Sequence, residues 1–547
     1  MPPDDESNAA PLLCIRGLEV TFGQAIEPVL HGVDFELRRG ERVAIVGQSG
    51  SGKSTIVGAI LRLLPGSGEI SSGSILLDGD DLASLTEKQM QDVRGRRIGF
   101  VAQDPASNLN PAMKVGAQIS DALSANGVRG RPLLQKRVIE LMTEAGIADA
   151  ARRCTQYPHE FSGGMRQRVL IAIAIAREPE LLIADEPTSA LDVTVQRQIL
   201  NHLQTLVDAR GTTLLFITHD LGVAADRTDR IMVMLEGRIV EVGTPADIIL
   251  NPQHEYTKRL VAAAPMALTV AGRLSAAELG VAHKVFAEPI LIVTNLVKEF
   301  RLRGQRGGVL LAVDDVSFAV PRGTTTAIVG ESGSGKTTVA RIVLGLEQAT
   351  GGHARIDGKE IAASRGSELA GLRRMVQPVF QDPYGSLDPT YSVERLVDEP
   401  LRIFGVGNRV TRRAKVAELL DQVALPDAIA QRRPNELSGG QRQRVAIARA
   451  LALDPQLLIC DEAVSALDVL VQDQILGLLD SLQKNLGISY LFITHDLSVV
   501  RQIANSVIVM RQGRVVENGT VDEVFANPSN RYTSELLEAI PGGAFAR

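Results

Sequence analysis

The sequence predicts an α/β protein made of two tandem copies of one domain, each a mostly parallel sheet flanked by helices. Three observations predict it. The chain has 547 residues, too many for one ordinary domain. It also repeats itself in order: VAIVGQSGSGKST at Val43–Thr55 returns as TAIVGESGSGKTT at Thr326–Thr338, and FVAQDPASNLNP at Phe100–Pro111 as VFQDPYGSLDP at Val379–Pro389. FSGGMRQRVLIAIAIA from Phe161 returns 276 positions later as LSGGQRQRVAIARALA from Leu437, and LLIADEPTSALDV and LLFITHDL recur at that same offset. Within each copy, short β-rich runs (VAIVG, LLIAD, LLFIT) alternate with longer helical patterns such as VTVQRQILNHLQTLVDA, as a parallel sheet with crossover helices requires.

The boundaries follow from composition. Residues 1–11 are acidic with no apolar core, read as a disordered tail and not a secretory signal. The first domain runs over 12–265, an Ala-rich linker over 266–288, the second domain over 289–541 and a short tail over 542–547. Within the linker, LSAAELGVAHKV at Leu274–Val285 has the pattern of a short helix. LLCIRGLEVTF and ILIVTNLVKEF, opening the two domains, read as antiparallel β lying before each core.

Composition excludes several function classes. Aromatic residues are 3% with no Trp, which argues against aromatic platforms for sugars or stacked bases. Lys plus Arg number 58 against 64 Asp plus Glu, a net charge of -6 and the wrong sign for general attraction to nucleic acid. Cys14, Cys154 and Cys460 are far apart, so no zinc site or disulfide framework is expected, and Cys460 reads as a small buried hydrophobe. The longest stretch without charge, Leu260–Gly272, contains Pro265 and falls short of the ~20 apolar residues that span a bilayer.

Two segments carry phosphate chemistry. Gly47–Ser54 and Gly330–Thr337 fit G-x-x-x-x-G-K-[ST] between a strand and a helix. Gly47, Ser49, Gly50 and Gly52, and in the second copy Gly330, Ser332, Gly333 and Gly335, let backbone amides wrap phosphates at a helix N-terminus. Lys53 and Lys336 are expected to reach the β- and γ-phosphates, with Thr55 and Thr338 just behind. Ser54 and Thr337 are expected to ligate Mg²⁺. Asp185 and Asp461 end apolar runs where ligands sit in open α/β sheets, suited to hold Mg²⁺ through water. Beside them Glu186 and Glu462 are placed to polarise an attacking water. His219 and His495, each in FITHD beyond a further strand, are assigned a γ-phosphate contact.

With these motifs in hand, both halves resemble the ATP-binding domains of ABC transporters, over nearly the whole chain. FSGGM at Phe161–Met165 and LSGGQ at Leu437–Gln441 are similar to the ABC signature. The resemblance implies two ABC-type ATPase domains, each with an antiparallel β subdomain and a helical subdomain, with ATP and Mg²⁺ as ligands. It implies that Ser162, Gly163 and Gly164 serve the nucleotide of the second domain, and Ser438, Gly439 and Gly440 that of the first. It further makes Gln103 and Gln381 the Q-loop glutamines near Mg²⁺ and the attacking water, Asp192 and Asp468 the D-loop, and Phe22 and Phe300 the aromatics under adenine. Met165 departs from the signature Gln, and Ala463-Val464 from Pro-Thr. Neither removes a Lys, Glu, His or signature Ser, so both sites are expected to hydrolyse ATP.

Among tandem ABC proteins, a UvrA-like repair ATPase would need zinc cysteines, and a translation factor of the ABC-F kind a long charged linker. The chain has neither. QDPASNLNP and QDPYGSLDP, with the endings IILNPQHEYTKRLVAAAP and VFANPSNRYTSELLEAIP, resemble the dipeptide and oligopeptide importer family, although Glu255 and Arg531 replace the family Pro before Tyr. That resemblance implies a fused importer ATPase, peripheral on the cytoplasmic face of the membrane. Its implied partners are two permease subunits and an extracytoplasmic peptide-binding protein, with no nucleic acid. No Cys follows either tail Tyr within its domain, so no iron–sulfur cluster is expected. Glutathione, a nickel chelate or another small solute is the alternative cargo to peptide.

Overall fold

The alternation of apolar runs and helical patterns resolves into two kinds of sheet in each half. The computed structural model describes residues 10–23, 27–125, 130–188, 191–264, 288–301, 308–465 and 467–542. The helix expected at Leu274–Val285 and most of the N-terminal tail lie outside the described residues. Two units form, one from the described residues of Met1–Val270 and Pro541–Arg547, the other from those of Ala271–Ile540.

In the first unit the strands are β1 (Leu13–Phe22), β2 (Leu30–Leu37), β3 (Arg42–Val46), β4 (Gly68–Leu77), β5 (Asp80–Asp81), β6 (Ile98–Val101), β7 (Leu181–Asp185), β8 (Thr213–Thr218), β9 (Arg230–Leu235) and β10 (Arg238–Gly243). One sheet has the order β2-β1-β4-β5 and is antiparallel; the other has the order β10-β9-β3-β8-β7-β6. In the second, β3 pairs in parallel with β8 and β9, β7 with β6 and β8, and only β10 is antiparallel. The strands β7 and β8 are buried from end to end, because a parallel sheet is covered on both faces. This explains why they read as continuous apolar runs and not as alternation.

The second unit repeats the plan. Its strands are β11 (Pro289–Arg301), β12 (Val309–Pro321), β13 (Thr325–Val329), β14 (Gly351–Ile356), β15 (Lys359–Glu360), β16 (Val376–Val379), β17 (Leu457–Asp461), β18 (Ser489–Thr494), β19 (Ser506–Arg511) and β20 (Arg514–Thr520). They form sheets of order β12-β11-β14-β15 and β16-β17-β18-β13-β19-β20. The openings of both domains are thus antiparallel strands, as their sequences suggest.

Packing ties the antiparallel sheet to the phosphate-loop strand. Leu13, Ile15 and Leu18 of β1 share one buried cluster with Val43 and Ile45 of β3, Ile56 and Ile60 of the following helix, and Ile183 and Ile217. Leu291, Val293, Ile328, Val339, Ile342, Ile459 and Ile493 do the same in the second unit. Beyond the sheets, helices Val115–Ser124, Arg131–Glu144 and Gly163–Ile175 pack together, and Val393–Ile403, Arg409–Gln422 and Gly439–Leu451 repeat them. The helix Val193–Arg210 buries Ile199, Leu200, Leu203 and Val207, one face at helical spacing. Among the described residues no helix is long and apolar enough to cross a membrane.

Candidate active site

The expected site residues meet where the parallel strands end. In the order β3-β8-β7-β6, the phosphate loop follows β3, His219 follows β8, Asp185 and Glu186 close β7, and Gln103 follows β6. Four loops from four adjacent parallel strands therefore converge on one edge, the carboxyl edge at which such sheets bind ligands. The second unit places Gly330–Thr337, His495, Asp461 with Glu462, and Gln381 identically.

The loops wrap around their own lysines. Lys53 is 5% exposed, and its Nζ donates to Gly47 O at 2.7 Å and Gln48 O at 2.8 Å. Lys336 does the same with Gly330 O at 2.7 Å and Glu331 O at 2.9 Å. Gly52 and Gly335, at the helix starts, have φ of 103° and 102°, left-handed backbone that other residues enter only at a cost. The turn between the last two strands braces each loop: Gly237 N–H donates to Ser51 O at 2.9 Å and Gly513 N–H to Ser334 O at 3.0 Å. Ser49, Gly50, Ser332 and Gly333 lie within these loops, and Thr55 and Thr338 in the first turn of the helices Lys53–Leu61 and Lys336–Val343.

The catalytic candidates form one hydrogen-bonded group in each unit. Gln103 Nε2 donates to Glu186 Oε2 at 2.8 Å, and His219 Nδ1 lies 3.1 Å from Glu186 Oε1. In the second unit Gln381 Nε2 donates to Glu462 Oε2 at 2.7 Å, with His495 Nδ1 3.4 Å from Glu462 Oε1. Both glutamates sit in left-handed backbone, φ 42° and 49°, a strain of roughly 1–3 kcal/mol each. Their N–H groups are pinned to Ile217 O at 2.9 Å and Ile493 O at 2.8 Å. The neighbouring strand thus holds the chain in the turn that carries each carboxylate away from the sheet.

Electrostatics separates the two carboxylates of each pair. Burial raises the pKa of Asp185, a hydrogen bond from Ser54 opposes it, and Glu186 adds to the rise. Asp461 is raised by burial and by Glu462. Burial also works against ionised Glu186, but the bond and charge of His219, with Lys53 and Gln103, outweigh it and lower its pKa. Glu462 is lowered likewise through His495 and Lys336. Burial opposes a charge on His219 and His495, and the partner glutamates overcome it, so both are raised above the ordinary 6.5. The outer carboxylate is kept ionised and hydrogen-bonded beside an imidazole, while the inner one is kept dry beside the loop hydroxyl.

The remaining expected residues are structural anchors in their own units. Ser162 caps the helix Gly163–Ile175, its Oγ accepting from Met165 N–H at 3.4 Å. Ser438 accepts from Gln441 N–H at 3.3 Å, and Gln441 Oε1 accepts in return from Ser438 N–H at 3.0 Å. Met165 has no oxygen to make that reciprocal bond, and its Sδ instead lies 3.7 Å from Arg153 Nη1. A Cβ on Gly164 would stand 2.6 Å from Val195 Cγ1, and one on Gly440 2.5 Å from Val471 Cγ1, so the close approach of two helices demands glycine at both places. Gly163 and Gly439 precede them, near Leu191 and Leu467. Asp192 and Asp468 cap the long helices by accepting from Val195 N–H and Val471 N–H, both at 3.1 Å. Phe22 lies against Gly68, and Lys298 Nζ stands 4.8 Å from the centre of the Phe300 ring. These contacts belong to the antiparallel sheets. Ala463 and Val464 are buried, and burial pushes the Cys460 thiol up to about 12, that of an inert core residue.

Two residues at the phosphate loops escaped the sequence reading. Gln48 N–H donates to Tyr256 Oη at 2.9 Å and Glu331 N–H to Tyr532 Oη at 3.1 Å. A signal existed, since the two tyrosines stand 276 positions apart, the offset shared by the motifs from FSGGM and LSGGQ onward.

A phosphate loop beside an ionised, imidazole-paired glutamate at the carboxyl edge of a parallel sheet defines a P-loop ATPase. The chain belongs to the ABC transporter family, whose ATP-binding domain matches residues 30–189 and 313–465, and it carries twice the oligopeptide/dipeptide transporter C-terminal region, at residues 240–279 and 516–544. It is 42% identical over 569 residues to the glutathione import ATP-binding protein GsiA of Salmonella paratyphi A, covering 99% of this chain and 91% of that one. It is 42% identical over 571 residues, with the same coverage, to GsiA of Escherichia coli strain K12. A solved ATP-binding cassette, dimeric and bound to ADP and Pi, is similar at 32% identity over 42% of this chain and 98% of that one, with a TM-score of 0.39.

Proposed function

We propose that this chain is the fused ATPase of an importer for short peptides. The observation that carries the reading is the presence, in both halves, of a complete Gln–Glu–His group beside a phosphate loop, followed by the peptide-transporter C-terminal region. Lys53 and Lys336 bind the β- and γ-phosphates. Glu186 and Glu462, ionised and held by imidazole, accept a proton from the attacking water, and Gln103 and Gln381 orient them. His219 and His495 fix the glutamates and stand next to the γ-phosphate. Catalysis is positioning and charge stabilisation.

The donors suit a hard cation. Asp185 is 7% exposed and its Oδ1 is buried without a hydrogen-bond partner, and Thr337 Oγ1 lies 3.4 Å from Asp461 Oδ1. Among the described residues no three His, Cys, Asp or Glu side chains group as a metal site by themselves. This suits Mg²⁺, which is bound through one or two protein oxygens with substrate phosphates. Ser54 with Asp185, and Thr337 with Asp461, would hold it, with Gln103 and Gln381 nearby; when bound it neutralises developing phosphate charge.

By family resemblance, Ser162–Gly164 and Ser438–Gly440 are signature segments that take part in nucleotide binding. The chain works at the cytoplasmic face of the membrane with two permease subunits and an extracytoplasmic peptide-binding protein. Glutathione, itself a tripeptide, is a second reading of the cargo, favoured by the names of the full-length relatives. Vesicles holding the chain with a peptide-permease pair should take up labelled tripeptide only with ATP and binding protein. ATPase activity that ignores both permease and peptide would sink the transport reading. Uptake of glutathione in preference to unmodified tripeptides would select the second cargo.

A further inference from the structure

The C-terminal region of each half returns to the phosphate loop and grips one particular peptide unit. Tyr256, in the helix Glu255–Ala263, is 1% exposed, and Tyr532, in the helix Arg531–Leu537, is 2% exposed. Each phenol oxygen accepts from the N–H of the second loop residue, Gln48 or Glu331, while the loop lysine donates to the carbonyl at the other end of the same peptide unit, that of Gly47 or Gly330.

The tyrosines are themselves fixed by a shared device. Glu241 of β10 accepts from Gln253 N–H at 2.8 Å and His254 N–H at 3.0 Å. Glu517 of β20 accepts from Ser529 N–H at 2.6 Å and Asn530 N–H at 3.2 Å. His254 Nδ1 and Asn530 Oδ1 then cap the two helices by accepting from Tyr256 N–H at 3.2 Å and Tyr532 N–H at 2.9 Å. His254 and Asn530 differ in chemistry but perform one task, so the pose of the tyrosine is what both halves keep.

We propose that Tyr256 and Tyr532 are positioning residues for ATP: their hydroxyls hold the phosphate loop open before nucleotide arrives, making the C-terminal region a determinant of ATP affinity. The inference rests on the reading that these loops bind ATP. A lysine engaged with phosphate gives up part of its hold on the loop carbonyls, and the tyrosine remains as a protein contact on that peptide unit. A loop held in its binding shape pays less ordering entropy on binding.

The test is Tyr256→Phe with Tyr532→Phe in the full chain, which keeps ring packing and removes only the hydroxyls. One hydrogen bond of typical net strength predicts ATP affinity weaker by about fivefold per site. KM should rise in step, kcat should stay within about twofold, and the melting temperature without nucleotide should fall by no more than about 2–4 °C, since the same bonds are present before nucleotide binds. Glu255→Ala with Arg531→Ala, on the exposed side of the same helices, should leave affinity alone, and Lys53→Ala with Lys336→Ala should abolish binding. Wild-type affinity in the Tyr→Phe protein, with binding lost in the lysine variant, overturns the proposal by itself. Failure of the wild type to bind ATP removes the reading beneath it and the proposal together. If the double variant melts early, each single variant is scored by its ATP-induced rise in melting temperature, and a rise equal to wild type overturns the proposal.

Discussion

Replacing Glu186 by Gln tests the catalytic assignment with little change of shape. Gln meets the same left-handed backbone at φ 42°, so strain is common to both proteins and the charge is the variable. The carboxylate takes Gln103 Nε2 at 2.8 Å on one oxygen and faces His219 Nδ1 at 3.1 Å with the other. A Gln amide can accept on one side only and sets its NH₂ against a donor on the other. Loss of a general base costs about 10²–10⁴ in rate, or roughly 3–5 kcal/mol of barrier. ATP binding should survive, because Lys53 and the loop amides are untouched. Steady-state ATPase and nucleotide-binding assays on Glu186→Gln and Glu462→Gln should show equal losses in the two single variants, retained binding, and background turnover in the double. Full activity in one single variant with complete loss in the other would refute the symmetric reading.

The Glu–His pairs also set a pH dependence. A raised His219 contributes stability that is complete below its unfolded pKa and is lost as pH rises through the folded value; a lowered Glu186 contributes above its unfolded pKa and loses it as pH falls through the folded value. The melting difference between wild type and Glu186→Gln should therefore be widest between the ordinary Glu and His values, 4.5 and 6.5, and narrow on either side. NMR titration of the His219 ring should give a midpoint above 6.5 in the wild type and a lower one in the variant; unchanged midpoints would remove the pairing. Met165→Gln should restore the reciprocal cap that Ser438 and Gln441 make, slowing amide exchange at the start of the helix Gly163–Ile175 by a few tenths to about 1 kcal/mol. Gly440→Ala should destabilise by about 1–3 kcal/mol, since its Cβ would lie 2.5 Å from Val471 Cγ1. Adding Val471→Ala should recover much of that loss in a thermal melt, whereas no recovery would place the cost elsewhere.

Much of the site was legible because the chemistry is local. Glycines, a lysine and a hydroxyl within eight positions make a phosphate loop wherever the backbone closes, and an apolar run ending in Asp-Glu marks the end of a buried strand. His219 and His495 could be assigned a γ-phosphate contact only through the duplication, and their pairing with those glutamates came with the tertiary structure. Asp192 and Asp468 were read from the sequence only as the D-loop, and their capping of the long helices came with the structure. The positive φ of Glu186 and Glu462 was not legible either, because nothing in a non-glycine residue announces left-handed backbone that a hydrogen bond to the adjacent strand helps maintain.

By itself, then, the sequence determined two α/β units, their parallel strands and the candidate phosphate-handling residues, since periodicity and short motifs depend on neighbours along the chain. The tertiary structure decided the rest. Strand order β3-β8-β7-β6 brings Lys53, His219, Glu186 and Gln103 to one edge although they span 167 positions. It also brings Tyr256 back to Gln48 across 208 positions. Such contacts depend on which strands pair and where the last helix docks, and those choices are made by burial of whole faces, which no short segment encodes.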